Sequence, residues 1–469
     1  SGLKFVLTKI LIDSTGNADL AAAAGAETRF AADDRELAIQ GAGLPPRNLG
    51  TSYTNTDYMY VDETDMKDAT HVFVYAKQKF SRAFDLSKML DTRERRRIVG
   101  ETEFTVLDQM NCRTYSDSIA HVYTNYDSHG VMSHRVLEFP YNYYNAHPSF
   151  VPYRASLPKG IDGMLVSGLA SSGDRDALAV FRMQPDVQNQ GYALGYIAAT
   201  TLKDGVSLRK VDMKKIQRHL ADIGSLRQDV PDHTDNFETT KAELPEIVRN
   251  LPNGYEKVCR VLWHPAESLP LLRNAFANAT RKEDQIVYAT VLAALDDPTG
   301  ADVLLEAVKS FDGWDDGPKW SVRSEIHGFS VSELGRLILA LGRTKDPRGV
   351  AVIGEKLKLL QPSYRWIHAR TCLLALESIG GKEAASVVAD MLEQPKTTGF
   401  TRHDGAESTE SIRYKSIIEL SAARTLYRCG DTPDGKAEKI LEAYANDIRG
   451  VFSRHANEVL RSQPKTPNQ

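Results

Sequence analysis

Residues 163–200, GMLVSGLASSGDRDALAVFRMQPDVQNQGYALGYIAAT, constrain the fold more than any other stretch. Met164 to Ser167 form a short apolar run between Gly163 and Gly168, the pattern of a buried strand in a parallel sheet. Pro185 fits the first turn of a helix, where its missing N–H costs nothing, and Asp186 in that turn complements the positive helix end. Gly191, Ala193, Gly195, Ala198 and Ala199 then predict a small-residue helix face able to lie close to a sheet or a ligand. A strand, a Gly/Ser/Asp loop and a helix N-terminus in succession make a site for a negative or electron-rich group.

At 469 residues the chain exceeds what one core supports, so two or three domains are expected. With 58 basic and 62 acidic side chains the net charge is −4, which removes nucleic acid as the default partner. No apolar run is long enough to span a bilayer. Cys112, Cys259, Cys372 and Cys429 are far apart, and His121, His147, His327 and His403 share no metal-ligand spacing, so no metal site is expected. No secretory signal is visible at the N-terminus, and either a cytoplasmic or a periplasmic location fits.

The chain opens on strand-like Phe5-Val6-Leu7 and Ile10-Leu11-Ile12, a turn at Asp13 to Asp19, and an alanine-rich helix ending near Gly25. That is half of a βαβ unit, and no GxGxxG follows anywhere. Thr70 to Tyr75 is a strand candidate, and Thr92 to Gln109 predicts a helix end followed by a strand. Tyr141, Tyr143, Tyr144, His147 and Phe150 form an aromatic group. Asp212 to Ile223 predicts an amphipathic helix, and the polar, proline-containing residues 228–250 predict a linker.

From Leu251 the sequence is helical and loosely repetitive. Four alike junctions, at Ala294 to Pro298, Ala340 to Pro347, Ser378 to Lys382 and Arg428 to Pro433, each close one apolar-periodic helix and open the next. Helix pairs at this spacing predict a HEAT-like α-solenoid. Trp314 to Phe329 and Gln394 to Ser411 interrupt the period as insertions, which solenoids place on loops.

Three separated stretches carry a resemblance: IDSTGNADLAAAAGA (Ile12 to Ala26), RRRIVGETEFTVLDQ with YSDSIA and YDSHG (Arg95 to Gly130), and FVPYRASLPKGIDGMLVSG with RDALAVFRMQPDVQNQGYALG (Phe150 to Gly195). Together they resemble the FAD-dependent oxidoreductases of the glutathione-reductase-like fold, in their bacterial subgroup of unassigned substrate. The resemblance implies an α/β plus all-α chain. Residues 1–30 and 151–227 would be the C-terminal part of the FAD domain and 31–150 a mostly β substrate domain. A linker at 228–250, the solenoid at 251–461 and a tail at 462–469 would complete it. The family's first βαβ unit, with its glycine-rich loop, is not in this sequence. A shortened chain, a processed chain or one subunit of a two-chain enzyme would explain that, and a complementary N-terminal polypeptide carrying the dinucleotide-binding unit is implied.

The resemblance places Thr15 and Gly16 at the turn passing the phosphate–ribose portion of FAD. It gives Gly168 and Asp174 as further cofactor-binding residues and places Arg182, Met183, Gln184 and Gln188 at the isoalloxazine, where the amides of Gln184 to Val187 at the positive end of a helix suit a reduced, anionic flavin. His129 is the general-base candidate, with Asp127 to raise its basicity. A structural histidine in a turn is the rival reading. Arg96, Arg97 and Arg154 point at an anionic or hydroxyl-rich substrate, against the alternative of a solvated charged helix end. The implied reaction is oxidation of a C–H bond beside a hydroxyl or amine of a small molecule, a sugar being compatible, by hydride transfer to FAD. The rival function is a non-catalytic scaffolding subunit whose helical repeats bind a protein partner.

Overall fold

The computed structural model describes residues 5–30, 36–37, 62, 64–70, 74, 95–126, 132–140, 147–236, 240–316, 331–361, 364–402 and 410–462. The chain divides into two units. The first comprises Ser1–Ala31, Glu94–Asp127 and Asn142–Thr240, and the second Ala32–Arg93, Ser128–Tyr141 and Lys241–Gln469.

In the first unit, β1 (Leu11–Asp13) runs parallel to β6 (Met164–Val166), with Leu11 opposite Met164 and Asp13 opposite Val166. The apolar run bounded by glycines is thus a strand, and Met164, Leu165 and Val166 are all buried. β2 (Thr28–Arg29) pairs antiparallel with β3 (Arg97–Ile98), and β4 (Ser118–Thr124) with β5 (His147–Pro152). The alanine-rich segment is a short helix, α1 (Asp19–Ala23), whose Ala18 and Ala21 pack with Ile98, Met164, Val166 and Ala170 in a small core.

Thr105 to Asp108 overrides the strand expected before Gln109. The Thr105 side chain accepts from the Asp108 amide while the Asp108 carboxylate takes the Thr105 amide, a reciprocal cap that starts helix α2 (Val106–Met110). A four-residue helix, α3 (Leu178–Phe181), precedes the long helix α4 (Gln184–Asp204), which opens with Pro185 in its first turn and ends at Gly205 with φ +68. The small-residue face of α4 divides. Gln190, Ala193, Leu194, Ile197, Ala198 and Thr201 form the buried stripe, whereas Gly191 and Gly195 lie exposed. The i, i+3, i+4, i+7 spacing of the larger apolar residues decides which side turns inward. Helix α5 (Met213–Asp222) starts at Asp212, which caps the Lys214 and Lys215 amides. Both α4 and α5 pack on β4.

The chain passes from the first unit to the second between Thr240 and Lys241, within the expected linker at 228–250. Residues 228–236 are bound into the first unit, where Thr234 O accepts from Thr114 Oγ1 at 2.7 Å and Asn236 from the Thr114 amide at 2.8 Å. Leu244–Asn250 is already helix α6 of the second unit. Residues 31–150 also divide otherwise than expected: 94–127 and 142–150 belong with β1 and β6, and 32–93 and 128–141 with the helices. Residues 66–70 are helical, so Thr70 does not begin a strand.

The second unit continues through α7 (Val258–Trp263), α8 (Pro265–Asn278), α9 (Lys282–Ala294), α10 (Ala301–Lys309), α11 (Glu333–Arg343), α12 (Gly349–Lys358), α13 (Trp366–Ile379), α14 (Gly381–Leu392), α15 (Glu410–Arg428), α16 (Lys436–Ala445) and α17 (Gly450–Arg461). α9 packs on α11, α11 on α13 and α13 on α15, while α10 packs on α12 and α12 on α14. Helices therefore stack in alternate ranks, as in repeat architectures. The four junctions read from sequence carry left-handed residues: Asp296 (φ 59), Lys345 (φ 58), Gly380 (φ 73), and Gly430 with Asp431 (φ 112 and 56). At Gly342 two neighbouring helices of one rank, α11 and α13, approach so closely that a Cβ would lie 2.5 Å from the Ala375 Cα.

Candidate functional site at the ends of the parallel strands

Ligands of parallel α/β sheets bind beyond the carboxyl ends of the strands. The ends of β1 and β6 meet through a 2.9 Å contact between the Ser14 and Ser167 hydroxyls, and Ser167 N donates to Asp13 O at 3.0 Å. The loop after β1 is built on Asp13, which is fully buried. Its Oδ1 accepts from the Thr15 amide (3.0 Å) and hydroxyl (2.7 Å), and its Oδ2 from the Ala21 amide (2.9 Å). Thr15 Oγ1 in turn receives the Asp19 amide at 3.0 Å. Gly16 has φ +81, and a Cβ there would lie 3.5 Å from Arg95 Nη1. Arg96 braces the same loop, donating to Asn17 O at 2.8 Å and to Asp19 Oδ1 at 2.5 Å. Ala18 is buried with φ 51, a left-handed conformation that a residue with a Cβ adopts only where its surroundings impose it.

The loop after β6 is built on Gln190 of α4, also fully buried. Its Oε1 accepts from the Gly168 amide at 2.6 Å, and its Nε2 donates to Ser171 Oγ (3.1 Å) and Ser156 Oγ (3.2 Å). Gly168 has φ +69 and faces Val187 of the first turn of α4, leaving only 3.4 Å for a Cβ. Each loop therefore carries a glycine with positive φ, and the α4 N-terminus stands beside the second.

The other expected residues take distinct places. Met183 is the residue before α4 (φ −70, ψ 137), and Gln184 and Gln188 are exposed in its first turns. The Asp186 and Val187 amides both donate to Met183 O, at 3.1 and 3.0 Å, so of the expected amides these two are satisfied within the helix. Partial burial raises the Asp186 carboxyl above its ordinary value. Arg182 ends α3, half-buried. Asp174 caps two helices, taking the Val106 amide at 3.0 Å and the Ala177 amide at 2.7 Å. Arg154 grips Asp117 through Nε and Nη2, both at 3.0 Å, and also reaches Asp235; the hydrogen bond to Asp117 raises its guanidinium further above the ordinary value. Arg97 is buried on β3. Asp127, His129, Tyr141, Tyr143 and Tyr144 lie outside the described residues.

Asp13 and Gln190 organise the site, and sequence reasoning missed both. Asp13 had a visible signal, since Asp-x-Thr before a glycine is an Asx-turn pattern. Gln190 had a subtler one: a polar residue in register with the apolar stripe of a helix. Among the described residues no group of His, Cys, Asp or Glu is placed to hold a metal, and no helix is long and apolar enough to cross a membrane.

Residues 50–220 match the family model described as FAD dependent oxidoreductase. The matched stretch contains β6, the Gln190-centred loop and α4, while β1 lies before it. The family implies FAD as the cofactor and a flavin redox function. No curated protein and no solved structure matches the chain.

Proposed function

We propose that this chain is part of an FAD-dependent oxidoreductase that oxidises a C–H bond beside a hydroxyl or amine of a small molecule. The observation carrying the reading is the junction of β6 with α4: a family-matched strand, a glycine loop and a helix N-terminus beside the end of a parallel partner strand. FAD, when bound, supplies the two-electron acceptor. The residues fit its electron-rich ring end, because Gly168 admits close approach and the α4 dipole presents about half a positive charge. Met183, Gln184, Gln188 and Arg182 would hold that end, and Thr15 and Gly16 would flank the phosphate–ribose portion.

His129 takes the proton from the substrate hydroxyl or ammonium, and Asp127 raises its basicity. Arg97 orients the substrate. In this reading a further strand and a dinucleotide loop complete the β1–β6 sheet. In support, β1 and β6 pair only with each other among the described residues, and Phe5, Val6 and Leu7 are exposed. Parallel sheets are ordinarily wider and covered on both faces. The helical pairs are of the HEAT type in this reading and offer a protein-binding face.

Anaerobic bleaching of bound flavin by sets of hydroxy acids, amino acids and sugars tests the proposal. One set is expected to bleach it, and His129→Ala to slow bleaching by roughly 10²–10⁴-fold at unchanged flavin content. Flavin that no alcohol or amine reduces would defeat the assigned reaction, and an unchanged rate in His129→Ala would remove the base.

A further inference from the structure

Phe150 on β5 gathers side chains from three parts of the first unit. His121 stands directly opposite on β4, its ring 5.5 Å away, and His233 meets the same ring edge to face at 4.8 Å. Arg227 lies over it at 5.6 Å. Asp229 serves this group with one carboxylate. Its Oδ1 accepts from Arg227 Nε at 2.9 Å, and its Oδ2 from Arg227 Nη2 at 2.5 Å and His233 Nε2 at 3.2 Å.

Residues 233–236 lie in no helix or strand. They follow Val230, which is fully buried and fixes one end. Side-chain ties hold the rest in place of a backbone ladder. Thr114 Oγ1 donates to Thr234 O at 2.7 Å and the Thr114 amide to Asn236 Oδ1 at 2.8 Å. The Ser116 amide and Arg154 Nη2 donate to Asp235, at 3.1 and 3.2 Å, and Lys214 Nζ donates to His233 O at 3.2 Å. A segment held this way opens at lower free energy than the strands beneath it.

The charges facing the two histidines are unevenly divided. Arg227 and Lys214 are cations, Asp235 is engaged with Arg154, Asp232 is exposed, and Tyr123 lies exposed two residues along β4. Burial, and then the Arg227 guanidinium, hold His121 below the ordinary histidine range, with Asp229 opposing. His233 Nδ1 is buried without a hydrogen-bond partner, so a proton added there meets no acceptor. Charging both rings sets three cations around one phenyl ring and one carboxylate.

We propose that residues 233–236 are an acid-released strap, closed over Phe150 while His121 and His233 are neutral and lifted in mild acid, which withdraws Asp235 from Arg154 and bares the ring. The His121 contribution to closure is present above about pH 6.5, the ordinary histidine value, and is lost as pH falls, because the open state binds more protons there. The device does not depend on the flavin reading.

The test is amide hydrogen exchange of the full chain between about pH 8 and about pH 5, corrected for the intrinsic pH dependence of exchange, with the His121 ring followed by NMR in parallel. The Thr114 and Ser116 amides, which donate to the strap, report its closure. They are expected to lose protection about threefold or more in acid, tracking the His121 titration, while the β4–β5 ladder amides keep theirs. His121→Gln cannot charge and should abolish the acid response, and His121→Lys should loosen the strap at neutral pH. Should either variant fail to fold, the coincidence of strap opening with His121 titration in the unaltered chain decides. Protection that is constant across the range, loss in β4 and β5 alongside the strap, or an undiminished acid response in His121→Gln would each overturn the proposal.

Discussion

Replacing Gln190 probes the loop on which the candidate flavin site depends. Gln190 is fully buried and holds three groups at once: the Gly168 amide at 2.6 Å and the hydroxyls of Ser171 and Ser156 at 3.1 and 3.2 Å. Gln190→Leu keeps the volume but leaves the Gly168 N–H buried without an acceptor, which costs about 1–3 kcal/mol. The hydroxyls suffer less, since Ser171 already donates to Val166 O at 3.3 Å. Gln190→Ala adds an unfilled cavity and should cost about 3–5 kcal/mol in all. The two units make whole-chain unfolding unsuited to a single transition, so the readout is urea-dependent hydrogen exchange at amides of β6 and α4. Expected is a graded loss, wild type above Gln190→Leu above Gln190→Ala, with the Gly168 amide losing protection first. Gln190→Leu within about 0.5 kcal/mol of wild type would refute the claim that this side chain sets the loop.

Three further outcomes follow. Asp13→Asn removes an acceptor from the Thr15–Ala21 loop and should destabilise the first unit by about 1–3 kcal/mol, with raised exchange confined to the α1 entry; uniform exchange changes would contradict the local role. Gly342→Ala gains helix propensity but drives a methyl into Ala375, so a net loss of about 1–3 kcal/mol is expected in the second unit, and a stabilised variant would show that α11 and α13 are not in contact there. Burial pushes the Asp68 carboxyl up to about 8, against about 3.9 in the unfolded chain. Its contribution is therefore fully present below about pH 4 and is lost as pH rises toward about 8, because the unfolded state binds fewer protons in that window. Asp68→Asn should flatten this decline in the pH profile of second-unit stability read by hydrogen exchange, and an identical slope would contradict the assignment.

What could be read from the residues was what local chemistry decides. The glycine-bounded run at Met164 and the proline-headed helix at Gln184 appear where pattern placed them. So do the four junctions, because each needs a left-handed or chain-breaking residue that the sequence shows. What escaped notice depends on contacts distant in sequence. Gln190 matters because Gly168, 22 residues away, presents an amide to it. The division of residues 31–150 between two units follows long-range packing that no local period encodes: Glu36 meets Arg370, and Glu138 meets Arg343. The α2 cap shows local chemistry misread, since Thr105 and Asp108 signalled a helix start within a β-branched run. Arg154 was expected to face substrate, but its Asp117 and Asp235 partners lie 37 and 81 residues away in the chain.

The central claim is that FAD sits against β6 and the start of α4. The most direct measurement is the visible absorption spectrum and flavin stoichiometry of the protein isolated from its native source, with any polypeptide that accompanies it. The account predicts one FAD per chain, released on denaturation, and its loss in Gly168→Val, where a side chain must occupy a φ +69 position facing Val187. A colourless protein that takes up no FAD, or a Gly168→Val variant that retains full flavin, would contradict it.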